Sequence, residues 1–225
     1  MSVSETPEIV DWTGHDPVSY HEAWEWQRER VAQRQRGEVP DTLLLLTHLP
    51  VVSYGKRASP EHLLLPEPEY AARGIALVAT DRGGDATYHG PGQLVGYPIF
   101  ALGEGNRDLH RYVRFLEEVL IRAATDLGVA EAGRVPWHAG VWVQDRYLAA
   151  LGVKVTRWVT YHGFALNVTD EVRSGFSTIV PCGVVGKEIT TVAGETGQPV
   201  TVAEAAQRVA FHLPSLWNQF HHSAK

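Results

Sequence analysis

Cysteine is almost absent from this sequence, in which Cys182 is the single example. A lone cysteine cannot form an internal disulfide, so small folds stapled by disulfides are excluded. The sequence also lacks any apolar run of membrane-spanning length, and its first residues lack the basic and apolar regions of a secretory signal. We therefore expect a soluble, cytoplasmic protein that does not associate with membranes.

Positive charge is scarce as well. The 20 lysines and arginines are outnumbered by 26 aspartates and glutamates, which gives a formal net charge of −6. A general nucleic-acid binder needs a basic surface to displace counterions, so that class is not expected. The length of 225 residues and the apolar content of 44% suit a globular protein with a well-buried core. We expect a single domain over residues 1–225, with residues 1–10 flexible.

The most informative stretch runs from Arg82 to Gln93 and reads RGGDATYHGPGQ. Its four glycines and one proline leave much backbone exposed, and glycine lets the main chain approach a ligand closely. Side chains that can hydrogen-bond stand among the glycines: Arg82, Thr87, Tyr88 and His89. Apolar segments flank the stretch on both sides, so we interpret it as a polar loop between two strands at a pocket rim.

This stretch is not one of the common phosphate-binding loops. A Walker loop requires Lys-Ser or Lys-Thr after its last glycine, whereas Gly92 is followed by Gln93 and Leu94. A dinucleotide-binding loop runs into a helix, whereas this stretch runs into a β-rich segment. We therefore do not expect nucleotide binding through this loop.

Hydrophobic periodicity predicts amphipathic helices over residues 17–36, 107–127 and 200–213. Apolar runs and alternating residues predict extended segments over residues 42–48, 51–55, 94–100, 140–143, 147–155 and 158–168, with residues 140–155 forming a β-hairpin. The second helix carries Arg107, Arg111 and Arg114 at spacings that make them neighbours. This row of arginines is either a solvated face or a docking strip for an acidic partner.

Cys182 stands between Pro181 and Gly183, in a predicted turn. Free cysteines are often small buried hydrophobic residues, but a turn can also present the sulfur to a ligand. A nucleophilic cysteine needs cations or N–H groups nearby, because the thiolate must be favoured over a thiol of pKa ~8.5. The sequence offers several side chains for this purpose: His48, His89, His162 and Lys187. Residue chemistry alone leaves both interpretations open.

The stretch from Arg82 to Val95 resembles the signature of the lipoyl(octanoyl) transferase family, the octanoyltransferases of lipoate biosynthesis. Further segments match that family in the same order: residues 44–48 with Pro50, 149–152, 161–168 and 180–183. The resemblance covers about residues 20–192. It implies an α+β fold of the biotin/lipoate protein ligase type, in which helices flank a mixed β-sheet.

The resemblance also implies a reaction. An octanoyl group would pass from octanoyl-acyl carrier protein to a lysine of a lipoyl domain, in an oxo-acid dehydrogenase E2 subunit or in the glycine-cleavage H protein. Cys182 would be catalytic and would carry the group as a thioester, without a cofactor or a metal. The implied substrate-binding residues are Arg82, Gly83, Gly84, Asp85, Ala86, Thr87, Tyr88, His89, Ala150, Leu151, Gly152, Gly163, Phe164 and Ala165.

One position departs from the family pattern. That pattern, Lys-x-Ala-x-x-Gly, has a lysine where this chain has Tyr147, and the lysine is held to lower the pKa of the catalytic cysteine. A tyrosine is neutral at pH 7, so it can donate a hydrogen bond but cannot stabilise a thiolate by charge. Lys154 is not expected to substitute, because it lies ~23 Å further along an extended strand and on the opposite face. We expect His89 or His162 to act as the base.

Two other functions are compatible with this fold. An ATP-dependent lipoate or biotin ligase would need a nucleotide-binding lysine and would have no use for Cys182, whereas the chain has the cysteine and no matching lysine. A catalytically impaired or non-catalytic relative that binds acyl groups or lipoyl domains is suggested only by Tyr147.

Overall fold

The structure is a computed structural model that describes residues 6–55, 58–184 and 186–222, except for the side chain of Cys182. In this part of the chain, helices flank a seven-stranded mixed sheet and a three-stranded sheet. The expected α+β class with a mixed β-sheet is confirmed. No helix within these ranges combines the length and the apolar character that crossing a bilayer requires.

The strands are β1 (Glu8–Asp11), β2 (Thr42–Leu46), β3 (Val51–Tyr54), β4 (Ala76–Ala79), β5 (Ala86–His89), β6 (Gln93–Ile99), β7 (Ala132–Gly133), β8 (Val141–Val143), β9 (Arg146–Thr156) and β10 (Val159–Asn167). The helices are α1 (Tyr20–Arg36), α2 (Glu67–Ala72), α3 (Leu109–Asp126), α4 (Arg173–Phe176), α5 (Val192–Thr196) and α6 (Val202–His222). Single 3-10 turns occur at Pro60–His62, Glu104–Asn106, Asp170–Val172 and Pro181–Gly183.

The large sheet has the strand order β1-β2-β6-β10-β9-β8-β7. The β1–β2 pair is parallel and the other neighbouring strands are antiparallel. Strand β2 shows why the run of leucines forms a strand rather than a helix. Leu43 and Leu45 face the core beneath α3 and α6, while Leu44 and Leu46 face the cluster that includes Ala23 of α1. Because helices cover both faces of this strand, a continuous apolar run replaces the usual alternation.

Helices α1 and α3 begin where a side chain caps them. Ser19 accepts a hydrogen bond from the backbone N–H of Glu22, and Asp108 accepts one from that of Arg111. Both helices therefore start two or three residues later than the periodicity predicts, because the capping residue itself is not helical. Gly37, in the left-handed conformation, ends α1.

Helix α6 is longer than the sequence predicts. It continues past Pro214 to His222, whereas we expected it to end near residue 213. The extension is held by aromatic packing, since the rings of Trp217 and Phe220 lie 5.4 and 5.5 Å from that of Phe115 on α3. Burial of large rings outweighs the backbone hydrogen bond that a proline removes from a helix.

The N-terminal segment contains a strand that the sequence analysis does not predict. Glu8–Asp11 forms strand β1 in register with β2, so that Ile9 pairs with Leu43. The side chain of Arg30 on α1 also pairs with Glu8. Backbone pairing and a half-buried Ile9 order this segment, which has no strong strand signal of its own. Residues 1–5 lie outside the described part of the chain.

The small sheet has the order β4-β3-β5 and holds the glycine-rich stretch in place. Strand β5 lies inside that stretch, for which the glycine pattern predicts a loop throughout. It pairs antiparallel with β3, so that Ser53 is opposite Thr87 and Val51 is opposite His89. The pairing fixes which side chains of the stretch share a face.

The row of arginines on α3 is not a uniform solvated face. Arg111 donates to the side-chain oxygen of Asn106 and to the backbone carbonyl of Phe220, and its guanidinium lies 4.5 Å from the Phe220 ring centroid. Arg114 lies 2.7 Å from the buried carboxylate of Glu117. Arg111 therefore joins α3 to the neighbouring turn and to α6, whereas Arg114 pairs within α3 itself.

Candidate active site

A cleft opens where the glycine-rich stretch meets β9 and β10, with about 510 Å³ of space that includes the solvent at its mouth. Most of the residues that the sequence assigns to substrate binding line it: Arg82, Gly84, Asp85, Thr87, His89, Ala150, Leu151, Gly152, Gly163, Phe164 and Ala165. The fold thus brings together three segments that are far apart in the sequence. Their role in binding substrate stays a prediction.

Three of the assigned residues do not line this cleft. On β5, alternation turns Thr87 and His89 toward the cleft and Ala86 and Tyr88 away from it. Tyr88 packs instead against Phe176 of α4, with ring centroids 5.8 Å apart. The backbone N–H of Gly83 donates to the carbonyl of Val153 on β9 at 3.2 Å. These residues therefore pack behind the rim of the cleft and do not face its interior.

The floor of the cleft is built where β9 and β10 pair, with Gly152 opposite Gly163. A Cβ at Gly163 would stand 2.1 Å from the carbonyl oxygen of Gly96, which no side chain can tolerate. A Cβ at Gly152 would stand 3.1 Å from the carbonyl oxygen of Gly83 on the rim. Glycine at these positions lets neighbouring backbone segments lie in direct contact.

Sequence reasoning missed Tyr20, Tyr97 and His138, which also line the cleft. Tyr97 lies on β6 between Gly96 and Pro98, and its strand position could have suggested a face shared with Val95. Tyr20 is the first residue of α1, and its ring stacks on His89 at a centroid distance of 6.0 Å. Nothing in the sequence signals that contact, because α1 and β5 are brought together only by the sheets.

Three histidines at or beside the cleft, His48, His89 and His162, are uncharged at neutral pH. Burial lowers the pKa of His48 to about 4. Burial, together with the neighbouring His48, also holds the pKa of His89 well below its usual value. His162 has its pKa lowered to about 4 by burial, in spite of the carboxylate of Asp81. Neutral rings make this part of the cleft compatible with an apolar ligand.

Arg82 brings a positive charge to the rim and is almost completely buried. Its Nη2 atom donates to the carbonyl of Ser53 at 2.6 Å, and its Nη1 atom donates to that of Gly83 at 3.0 Å. These bonds tie the glycine-rich stretch to strand β3. The fixed charge also helps to keep His89 and His162 neutral.

Asp81 is the centre of a polar cluster beside the cleft. Its carboxylate accepts from Nε2 of His162 at 2.8 Å, from Lys154 at 2.7 Å and from the Tyr161 hydroxyl at 2.7 Å. Burial would raise the pKa of Asp81, but these three hydrogen bonds outweigh it and hold that pKa well below its usual range. The ammonium group of Lys154 is therefore bound to Asp81 in this cluster.

The turn that carries Cys182 lies against the rim. Gly183 has a φ of +70°, and a Cβ built on it would stand 2.8 Å from Oδ2 of Asp85. Just before the turn, the N–H of Val180 donates to the carbonyl of His62 at 2.9 Å. Asp85 itself lines the cleft, so the turn lies against a residue of the cleft wall. The side chain of Cys182 lies outside the described part of the structure.

Tyr147, at the family lysine position, is buried in an aromatic cluster. Its ring lies 4.4 Å from that of Trp142 and 5.6 Å from that of His138, measured between centroids. Its backbone pairs with the segment after the turn, since its N–H donates to the carbonyl of Glu188 at 2.8 Å. The tyrosine therefore supports the segment that follows Cys182 while contacting the cleft residue His138.

Known proteins resemble this chain over most of its length. The lipoyl protein ligase A/B catalytic domain family matches residues 19–213. A curated protein of Roseiflexus sp. named Octanoyltransferase is 46% identical over 204 residues, covering 89% of this chain and 84% of its own. Another of that name, from Geobacter sulfurreducens, is 49% identical over 193 residues, covering 86% and 78%. The chain belongs to the octanoyltransferase family. It is accordingly an enzyme of the acyltransferase class.

Solved structures support the fold of this octanoyltransferase family member. A bipartite lipoate protein ligase of Thermoplasma acidophilum, described with its E2 lipoyl domain, superposes with a TM-score of 0.69 at 14% identity, covering 96% of this chain and 84% of its own. Biotin protein ligase from Aquifex aeolicus, in complex with biotin and ATP, gives 0.51 at 16% identity, covering 77% and 72%. At such identities the likeness shows the fold alone, which is the ligase-type fold that the sequence resemblance implies.

Proposed function

We propose that this protein transfers an octanoyl group from octanoyl-acyl carrier protein to a lysine of a lipoyl domain, through a thioester on Cys182. The observation that carries the proposal is the position of the Pro181–Gly183 turn against Asp85, at the border of the cleft. The curated relatives named Octanoyltransferase support the acyl group, and the ligase described with an E2 lipoyl domain supports the class of acceptor.

The cleft suits an acyl chain. Leu151 and Phe164 offer apolar surface, and Ala150 and Ala165 leave room between them. Burial of each CH₂ of a bound chain contributes about 0.8 kcal/mol, so an eight-carbon chain gains several kcal/mol over a short one. The hydroxyl of Thr87 is buried and has no hydrogen-bond partner among the described residues. It is therefore available to a polar atom of the bound acyl group.

In the first step, the thiolate of Cys182 attacks the carbonyl carbon of the carrier thioester. The tetrahedral intermediate collapses as the bond to the carrier sulfur breaks, and the carrier leaves as a thiol after taking up a proton. Backbone N–H groups of the turn are the donors that we assign to the developing oxyanion, and such donors are commonly worth ~3 kcal/mol each. The N–H of Gly183 is suited to this role, because its bond to the Val180 carbonyl is long, at 3.4 Å.

In the second step, the amine of the target lysine attacks the acyl-enzyme. The bond to the Cys182 sulfur breaks, the amine loses a proton, and an amide forms. Exchange between two thioesters is nearly balanced in energy, so the first step needs no ATP. Amide formation is downhill and draws the reaction forward.

Intact-mass measurement after incubation with octanoyl-acyl carrier protein tests this proposal. Because the chain has one cysteine, a thioester adduct of octanoyl mass has one possible thiol site. We expect the adduct in the wild type and in Ser215→Ala on an exposed part of α6, and its loss in Cys182→Ala. An adduct that persists in Cys182→Ala contradicts the proposal. Dependence on ATP would indicate a ligase, and no adduct at all would indicate a non-catalytic relative.

A further inference from the structure

His62 and Asp85 form a pair that the sequence did not suggest. Nδ1 of His62 lies 2.7 Å from Oδ2 of Asp85, and both side chains are mostly buried. The other carboxylate oxygen of Asp85 accepts from the backbone N–H of Ala86 at 2.6 Å. The carboxylate is thus fixed at the start of β5, and it fixes the orientation of the imidazole.

This pair lies directly on the turn that carries Cys182. A Cβ built on Gly183 would stand 2.8 Å from Oδ2 of Asp85 and 3.3 Å from Cε1 of His62. The backbone carbonyl of His62 also accepts from the N–H of Val180 at 2.9 Å, so the main chain of His62 is bound to the residue just before the turn. In the imidazole ring, Cε1 is bonded to both nitrogens. Nε2, which does not face Asp85, is therefore bonded to the ring atom that lies near the Cβ position of Gly183.

We propose that His62, oriented by Asp85, is the base that takes the proton of the Cys182 thiol. The proposal rests on the proposed function, in which Cys182 is the nucleophile. His62 then performs the task for which the family uses a lysine at the position of Tyr147. Asp85 is a positioning residue, because it acts on the thiol only through the ring of His62.

The proton transfers balance over both steps. Nε2 of His62 accepts the thiol proton while Asp85 accepts a hydrogen bond from Nδ1–H and stabilises the imidazolium. The imidazolium then returns the proton to the departing carrier thiolate. In the second step, His62 takes a proton from the attacking lysine amine and gives it to the sulfur of Cys182, which restores the thiol.

His89 and His162, the two histidines that the sequence analysis names as the base, already have hydrogen-bond partners on both ring nitrogens. His89 faces Ser53 with Nε2 at 3.2 Å and Gln93 with Nδ1 at 2.8 Å. His162 faces Asp81 with Nε2 at 2.8 Å and the Tyr20 hydroxyl with Nδ1 at 3.4 Å. Either ring would have to give up a buried hydrogen bond to act as a base, which costs free energy. The geometry therefore favours His62 over the histidines named from the sequence.

Two basic side chains of the described segments next to the turn, Arg146 and Lys187, have partners as well. Arg146 lies 2.8 Å from Glu195, and Lys187 lies 3.2 Å from Asp145. Among the residues that the structure describes, the remaining titratable or charged side chains on elements that adjoin the turn are Glu61, Arg82, Tyr88, His138, Tyr147 and Glu188. Of these, His138 is the rival base, because it lines the cleft and contacts Tyr147.

Alkylation of the single thiol as a function of pH provides the test, because iodoacetamide followed by intact mass then reports on Cys182 alone. In the wild type we expect the rate to follow a midpoint below ~8.5, the value of an ordinary thiol. In His62→Gln the midpoint should rise by about one pH unit or more, because an imidazolium no longer stabilises the thiolate. Asp85→Asn, which keeps the shape of the side chain, should give an intermediate rise.

Control variants separate this effect from a structural one. His21→Gln, on the exposed face of α1, should leave both the midpoint and the transfer rate unchanged. Single-turnover acylation of His62→Gln by octanoyl-acyl carrier protein should be about 100-fold slower than that of the wild type. Circular dichroism and thermal melting verify that each variant is folded. If His62→Gln unfolds, the alkylation midpoint of Asp85→Asn tests the proposal instead.

The outcomes distinguish this inference from the function on which it rests. Equal alkylation midpoints in the wild type and in the folded His62 or Asp85 variants would overturn the role of His62, even if Cys182 carries the acyl group. A midpoint that moves in His138→Gln and not in His62→Gln would overturn it in favour of His138. An octanoyl adduct that survives Cys182→Ala would instead refute the proposed function. The alkylation midpoints of the His62 and Asp85 variants are measured separately and do not depend on that result.

Discussion

Nε2 of His48 lies 2.7 Å from the hydroxyl oxygen of Tyr97, and both side chains are buried. Nδ1 of the same ring lies 2.9 Å from the backbone carbonyl of Val18. A carbonyl can only accept, so Nδ1 carries a proton, and in the neutral ring Nε2 then accepts from the Tyr97 hydroxyl. A neutral imidazole satisfies both contacts, in agreement with a pKa of His48 that burial lowers to about 4.

The buried histidines should make the protein less stable in mild acid. In the folded state the pKa of His48 and that of His162 are lowered to about 4, whereas an unfolded histidine titrates near 6.5. Between these values the unfolded chain binds protons that the folded chain does not, so the stabilisation is complete above pH 6.5 and is lost as the pH falls toward 4. Each ring can contribute about 3 kcal/mol to this loss.

Urea denaturation at pH 7.5, 6 and 5 measures this effect on the free energy of unfolding. The variant His48→Gln has a side chain that stays neutral throughout, so it should lose less stability than the wild type between pH 7.5 and 5. An identical pH dependence in the two proteins would show that His48 is not buried as a neutral ring.

Gly163→Ala should be strongly destabilising. The added methyl would stand 2.1 Å from the carbonyl oxygen of Gly96 and 2.6 Å from Cδ of Pro98, so β6 and β10 would have to separate. We expect a loss of about 3 kcal/mol or more, measured by chemical denaturation. Gly14→Ala is the matched control, because a Cβ there meets nothing within 4 Å. Equal stabilities for the two variants would refute the close contact between these strands.

Glu117 should contribute more to stability than an exposed acidic residue. Its fully buried carboxylate accepts from Arg114 at 2.7 Å, from Arg134 at 3.0 Å and from the backbone N–H of Gly140 at 3.0 Å. Glu117→Ala leaves that N–H without its acceptor and opens a cavity, so we expect a loss of about 2–4 kcal/mol. Thermal and urea unfolding measure it.

The control for Glu117 is Glu38→Ala. Glu38 pairs with Arg36 at 2.6 Å, but both side chains are more than half exposed, and water screens the pair. We expect no measurable change in stability. If the two variants were equally stable, the three hydrogen bonds of Glu117 would not be contributing as the structure indicates.

Tyr147→Lys tests whether the family position still acts on Cys182. The structure places that side chain among Trp142 and His138, where an ammonium group is poorly solvated. We expect a loss of about 3 kcal/mol in stability and an unchanged pH profile of thiol alkylation. Tyr147→Phe keeps the ring and should cost about 1 kcal/mol or less. An alkylation midpoint that falls in a folded Tyr147→Lys variant would show that this position can still tune the thiol.

The sequence by itself determined the family and most of the elements. Local features sufficed for this: the apolar stripe of α3, the alternation of β9 and β10, and the glycines of the stretch from Arg82 to Gln93. These signals lie within a few residues of one another and act through local backbone preference and periodicity. Family motifs in the sequence identified residues 82–89, 150–152 and 163–165 as candidates for substrate binding, and the structure places most of these residues around one cleft.

Only the tertiary structure decided which side chains meet. The contact of His62 with Asp85 joins residues on different elements, and neither carries a local signal of the other. The same holds for Tyr20 against His89, and for Lys154, whose partner Asp81 lies far away in the sequence. Strand register and helix packing set these distances through many weak contacts at once. For this reason the identity of the base beside Cys182 could be inferred only after β5 and the Pro181–Gly183 turn had been placed together.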